Sequence, residues 1–215
     1  MIALALLAAL SLQERLVRVD DALKAAQFQS ARRDLDALTA AISEHFGSGP
    51  QAMYTVGVIA SFRAIDAAGE NDKADAEWYW SSAKSFYPPF AGSNLRAYGA
   101  AGEAVMRIDA SDVCAIPDLS QSQHITPPKP ISAPMPKYPY HALETGIAEP
   151  VTVEVIVTTE GTTRCPRVIE AHGNPSLAWV LLEAMKRWRY EPAMADGARV
   201  AAALRETVDF RIKYY

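Results

Sequence analysis

A chain of 215 residues has room for one large domain or two small ones. Half of it is hydrophobic (50%) and 21% is charged, an ordinary composition for a soluble globular protein. The net charge of −4 argues against a dedicated nucleic-acid binder, and no run of like charges suggests a tail or a lipid-binding patch.

The first segment, MIALALLAALSL, is apolar for only a dozen residues before Gln13, Glu14 and Arg15. A bilayer-spanning helix needs roughly 20 apolar residues, whereas a secretory h-region needs about 7–15. Residues 1–12 therefore read as a signal peptide or a truncated anchor, with Ala9 and Ser11 small enough for a cleavage site. The absence of Lys or Arg ahead of the apolar run leaves two alternatives open: a start codon assigned too late, or the first turns of an ordinary helix.

Residues 13–108 read as a helical domain. Leu16, Val19, Leu23 and Ala26 recur at helical spacing, as do Leu35, Leu38 and Ile42. Pro50 marks a helix start, and Pro88 and Pro89 break the chain. Ala25–Ile42 and Ala67–Lys84 look alike, and each follows a helix, Gln13–Ala26 and Gln51–Ala68. Such helix–turn–helix pairs resemble tetratricopeptide repeats, although the offset exceeds that family's period of about 34 residues. A generic helical bundle accounts for the pattern equally well. The aromatic run Trp78, Tyr79, Trp80, Phe86 and Tyr87 has helical spacing and reads as core rather than as a ligand groove.

Between residues 109 and 135 prolines crowd the chain, and the segment reads as an extended linker with polyproline character. Pro127 to Pro136 would reach about 30 Å at about 3.1 Å per residue, enough to hold two domains apart. Cys114 lies in this segment and Cys165 beyond it. An even cysteine count fits one disulfide in an oxidising compartment, and two unrelated thiols are the alternative.

Residues 136–215 carry the clearest pattern. Val151, Val153, Val155 and Val157 alternate with Thr152, Glu154, Ile156 and Thr158 at strand period. Glu160-Gly161 supplies a turn, and Thr163–Ile169 returns as a second strand. Pro166 cannot donate to a ladder, which puts that strand at an edge or gives it a bulge. Asn174-Pro175-Ser176 starts a helix whose Leu177, Val180, Leu181, Ala184 and Trp188 form one apolar stripe. A final strand alternates over Val200, Ala202, Leu204, Val208, Phe210 and Ile212, with Glu206 the one break in its apolar face. A short helix is expected at Tyr140–Glu144. The fold class is α+β: an N-terminal all-α helical-hairpin domain, then a small three-stranded antiparallel sheet packed by one main helix.

The order YP (Tyr138-Pro139), strand, Gly161, strand, helix, WRYEP (Trp188–Pro192), strand resembles the C-terminal domain of the TonB family. These are periplasmic energy transducers that grip outer-membrane receptors. The resemblance covers Pro136–Tyr215 and implies a binding protein that adds a partner strand to its open sheet edge. In that family the last strand pairs with a short receptor segment, and the stretch before the YP pair is a second contact. Carried over, the peptide-binding residues are Arg205, Thr207, Val208, Asp209, Phe210, Arg211 and Ile212, running on to Lys213, with Pro136, Lys137, Tyr138 and Pro139 beside them. Met135 departs from the glutamine that well-studied members carry. Implied partners are an outer-membrane receptor or another periplasmic segment, not nucleic acid, with a homodimer through sheet edges also open. The implied location is the periplasm. A transducer of this kind also needs a membrane helix, so energisation requires a start upstream. A scaffold acting through the helical half is a third reading.

An exposed edge has a bland reading too, since outward Arg and Lys residues protect strands from aggregation. His45, His124, His141 and His172 lie far apart and match no metal spacing. No nucleophile elbow, phosphate loop or dinucleotide fingerprint is present. No enzymatic activity, cofactor or metal is expected.

Overall fold

The computed structural model describes residues 10–44, 47–111, 113–139, 142 and 149–210. Five helices come first: α1 (Leu12–Lys24), α2 (Phe28–Glu44), α3 (Gly49–Gly69), α4 (Lys73–Phe86) and α5 (Gly99–Asp109). Two short strands follow, β1 (Ile125–Thr126) and β2 (Lys129–Ser132). Then come β3 (Pro150–Val157), β4 (Thr163–Glu170), α6 (Pro175–Met185), β5 (Arg189–Glu191), β6 (Ala193–Ala195), β7 (Ala198–Val200) and β8 (Ala202–Asp209). The class is α+β, as the sequence predicts. Most of the leader at residues 1–12 and of the short helix expected at Tyr140–Glu144 lies outside the described residues.

The helical half is built from the pairs α1–α2 and α3–α4, with α5 packed on α3. Ser11 caps α1 in a reciprocal box with Glu14: the Ser11 N–H donates to the Glu14 carboxylate at 2.8 Å, and the Glu14 N–H donates to Ser11 Oγ at 3.3 Å. Pro50 sits in the first turn of α3, and Asp72 caps α4. Trp78, Tyr79, Trp80 and Phe86 are buried as core, whereas Tyr87 stays partly exposed.

The main sheet has the order β4-β3-β8, all antiparallel, so β3 is central. Its inner face holds Val151, Val153, Val155 and Val157, all fully buried beneath α6. On β4, Cys165 and Pro166 together oppose the single residue Val155, because the pairing passes from Glu154–Arg167 to Ile156–Arg164. That is a β-bulge, with Cys165 in the left-handed region at φ 48°. The bulge expected from Pro166 is therefore present, and the strand is an edge as well.

Three expectations need correction. The stripe assigned to the helix after Asn174 is too narrow. Ala178, Trp179, Leu182 and Met185, off that stripe, are also buried, leaving Glu183 as the only α6 residue not fully covered. An all-round apolar helix is a fully buried one. The second layer is the helical half: Trp179 stacks on Tyr79 at 6.1 Å and packs against Phe86, and α2 and α3 also reach α6.

The proline-rich stretch does not act as a spacer. β1 pairs with β6 and β2 with β5, so residues 125–132 are fastened to the segment around Pro192. Proline suits such short edge strands. The two halves share one continuous apolar core rather than standing apart. Finally, the last strand is not continuous. It divides at Ala201 into β7, which pairs with β6, and β8, which pairs with β3. Gly161, at φ 79°, lets the β3–β4 turn meet β5, accepting from the Tyr190 N–H at 2.9 Å; a Cβ there would run into the Tyr190 carbonyl oxygen.

Cys114 and Cys165 form a disulfide, with their Cα atoms 5.8 Å apart and their positions separated by 51 in sequence. The bridge ties the chain after α5 to the bulge of β4. Cross-linking a loop of that length is expected to add about 4 kcal/mol by restricting the unfolded chain. Cys114→Ser/Cys165→Ser should lower the unfolding free energy by that order in denaturant melts. An unchanged midpoint would show that the bridge contributes nothing to stability.

Candidate functional site: an open sheet edge

A three-stranded sheet has two edges, and here they differ. At β4 the outer edge is closed by α4. The Val168 N–H donates to Ser85 Oγ, and that hydroxyl lies 3.5 Å from the Val168 carbonyl. Both backbone groups thus point away from β3 and are met by a side chain. Further along, Glu77 on α4 forms a two-point ion pair with Arg164 of β4, through Nε at 2.8 Å and through Nη2. The disulfide closes the same flank.

At β8 the situation is reversed. All eight of its residues pair with β3, from Val157–Ala202 to Pro150–Asp209, and among the described residues no strand lies on its other side. Alternate outward groups of an edge strand have no ladder partner. This is the edge that the resemblance to the TonB family implies for peptide binding. Arg205, Thr207, Val208 and Asp209 lie on β8, and Phe210 follows directly. Arg211, Ile212 and Lys213 lie outside the described residues.

Side chains on β8 alternate in exposure. Ala203, Arg205, Thr207 and Asp209 face outward, whereas Ala202, Leu204, Glu206 and Val208 face the α6 side. The outward face carries a ladder of alternating charge: Arg167 donates to Glu154 at 2.7 Å, and Arg205 donates to the other Glu154 oxygen at 3.0 Å. Next to it, the hydroxyls of Thr152 and Thr207 are 2.9 Å apart. Each such cross-strand pair contributes on the order of 0.2–1 kcal/mol. The outward arginine on β8 is thereby held in place, with its side chain still 58% exposed.

The YP segment is brought to the same edge. The Tyr138 hydroxyl donates to the Phe210 carbonyl at 2.8 Å, and the two rings meet edge to face at 5.4 Å. Upstream, the Trp188 indole N–H donates to the Pro134 carbonyl at 2.9 Å, which anchors the approach to Pro136. Pro139 is buried and Lys137 exposed. The two parts of the predicted site, far apart in sequence, therefore adjoin at the C-terminal end of β8. Glu154, Arg167 and Ser85 carry no local signal; their roles depend on register and on helix placement.

Glu206 is the exception on the inward face. It sits between Leu204 and Val208, pairs across to Val153, and makes no hydrogen bond or ion pair among the described residues. Burial pushes its carboxyl above the ordinary glutamate range. Nearby, burial and then the Glu206 charge raise the Tyr190 phenol, whose oxygen is buried with no hydrogen-bond partner among the described residues. Elsewhere, Glu77, Cys114 and Cys165 bring potential ligand atoms within 4.8 Å of one another, but both sulfurs are used in the disulfide and Glu77 is engaged by Arg164. His172 lies in the β4–α6 turn, 3.4 Å from Glu170, and His124 is exposed beside Asp196.

A carboxyl whose pKa is raised on folding binds its proton more tightly in the folded state. Stability therefore falls as pH rises from the unfolded glutamate value through the raised folded one. Glu206→Gln should gain stability relative to the parent across that window and hold the gain to neutral pH. Paired denaturant melts at acid and neutral pH test this; a difference that shrinks with rising pH would contradict it.

Residues 134–212 match the family described as Gram-negative bacterial TonB protein C-terminal. The chain is 30% identical over 95 residues to Protein TonB of Vibrio cholerae, covering 43% of this chain and 39% of that protein. The match thus spans about two fifths of the curated relative's length. A solution structure titled Pseudomonas aeruginosa TonB CTD is 26% identical, covering 43% of this chain and 99% of that one at a TM-score of 0.37. The C-terminal part of the chain is a domain of the TonB C-terminal family.

Proposed function

We propose that this chain is a periplasmic binding protein that accepts an extended partner segment along β8, in the service of transport across the outer membrane. The observation that carries the reading is the asymmetry of the main sheet. One edge is closed by Ser85, Glu77 and the disulfide, and the other is long and regular, with no further strand beside it among the described residues. A partner strand would take its affinity from backbone bonds to β8 and its selectivity from alternate side chains.

Residues 136–215 act as the binding unit and the helices of residues 13–108 as its support. Tyr138, held on Phe210, places Pro136, Lys137 and Pro139 where a segment leaving the end of β8 would meet them. The partner is the N-terminal segment of an outer-membrane receptor or a comparable periplasmic segment. The disulfide fits an oxidising compartment.

The full isotope-labelled chain, titrated with peptides copied from receptor N-termini, should show amide shifts concentrated on residues 202–210 and on Lys137 and Tyr138. Peptides N-methylated at alternate positions should lose binding for one parity only, because only one set of amides faces β8. Shifts confined to α1–α5 would overturn the proposal in favour of a scaffold acting through the helices.

A further inference from the structure

If β8 takes a partner strand, as the strand-addition reading has it, Glu206 stands on the edge that strand would cover. Inward-pointing charge on an edge strand is a known obstacle to indiscriminate pairing. Glu206 has that placement: it faces the α6 side from the middle of β8, between two apolar neighbours, opposite Val153, with no cation or donor within bonding distance among the described residues. Among the described residues, Val153 of β3 lies across from it, and the buried Tyr190 hydroxyl of β5, which has no hydrogen-bond partner among them, feels its charge. Neither can neutralise a carboxylate.

An added strand would cover the open side of Glu206. An apolar residue at the facing position would remove water from the carboxylate and offer nothing in return, which is costly for a charge. An acidic residue there would add repulsion. A lysine or arginine would supply the missing cation. On this side of the sheet Leu204 and Glu206 are only partly buried, so a long basic side chain on an added strand has a route to solvent beside them. The outer face works the opposite way: Arg205, already shared with Glu154, carries positive charge to the rim.

We infer that Glu206 is the specificity residue of the β8 edge and that the partner is an extended segment bearing a Lys or Arg at the inward position facing it. A second copy of this chain is a poor partner, because in-register pairing of two β8 strands would bring the two Glu206 carboxylates together.

The test uses the full chain and synthetic peptides Thr-Val-Thr-Xaa-Thr-Val-Thr with Xaa as Lys, Val or Glu, following the β8 amides by NMR. The Lys peptide should bind the parent about fivefold more tightly than the Val peptide, with the Glu peptide weakest. Glu206→Lys should invert the Lys and Glu order, and Glu206→Gln, which keeps the size of the side chain, should level it. An order that is the same in all three proteins would overturn the inference while leaving strand addition standing. If no peptide moves the β8 amides, strand addition itself has failed, and the inference with it.

Discussion

The structure depends on a helix with no solvent face. α6 presents Leu177, Leu181 and Ala184 to the sheet and Trp179 and Leu182 away from them, and all five are buried. A fully buried large apolar side chain is worth on the order of 1.5–3 kcal/mol, and one layer of sheet cannot cover both sides of a helix. The second layer has to come from the helical half. Once α4 is drawn against Trp179 through Tyr79 and Phe86, its neighbouring residues fall along β4.

That placement explains why the two sheet edges differ. Ser85, one residue before Phe86, reaches the backbone of Val168, and Glu77, two residues before Tyr79, reaches Arg164. Lys186, just past α6, bonds Asp75 of α4 at 2.6 Å and lies over the Tyr79 ring at 4.6 Å. Closure of the β4 edge follows from burial of α6, and β8 is left as the side with no neighbouring strand among the described residues. A fragment holding only the sheet and α6 would expose Trp179 and reopen β4, so it would not report the edge preference of the whole chain.

Much of this was legible in the sequence because it is local. The alternation of Val151 to Val157, the turn at Gly161, the helix start at Asn174 and the bulge demanded by Pro166 all follow from short-range rules. So does the helical reading of residues 13–108. The long-range facts were not legible. The reading of PSLAWVLLEAM as a helix with one apolar stripe missed its second buried face, because nothing local says what covers Trp179 and Leu182. The prolines between residues 125 and 132 suggest a spacer because proline disfavours central strands, but a short edge strand tolerates it, and β2 is one. Ala201 divides the last strand without a Gly or Pro to mark the break. Glu206 was visible as a lapse in the apolar pattern; its meaning needed the register that sets it opposite Val153.

The central claim is that β8 is where this protein takes hold of its partner. Hydrogen–deuterium exchange of the full chain, alone and with a receptor N-terminal peptide, tests it most directly. In an edge strand, alternate amides are bonded to the neighbour and the others are free, so docking should slow exchange at every second residue of Ala202–Asp209 and leave β4 unchanged. Protection spread over α1–α5 or along β4, with β8 exchanging as before, would contradict it.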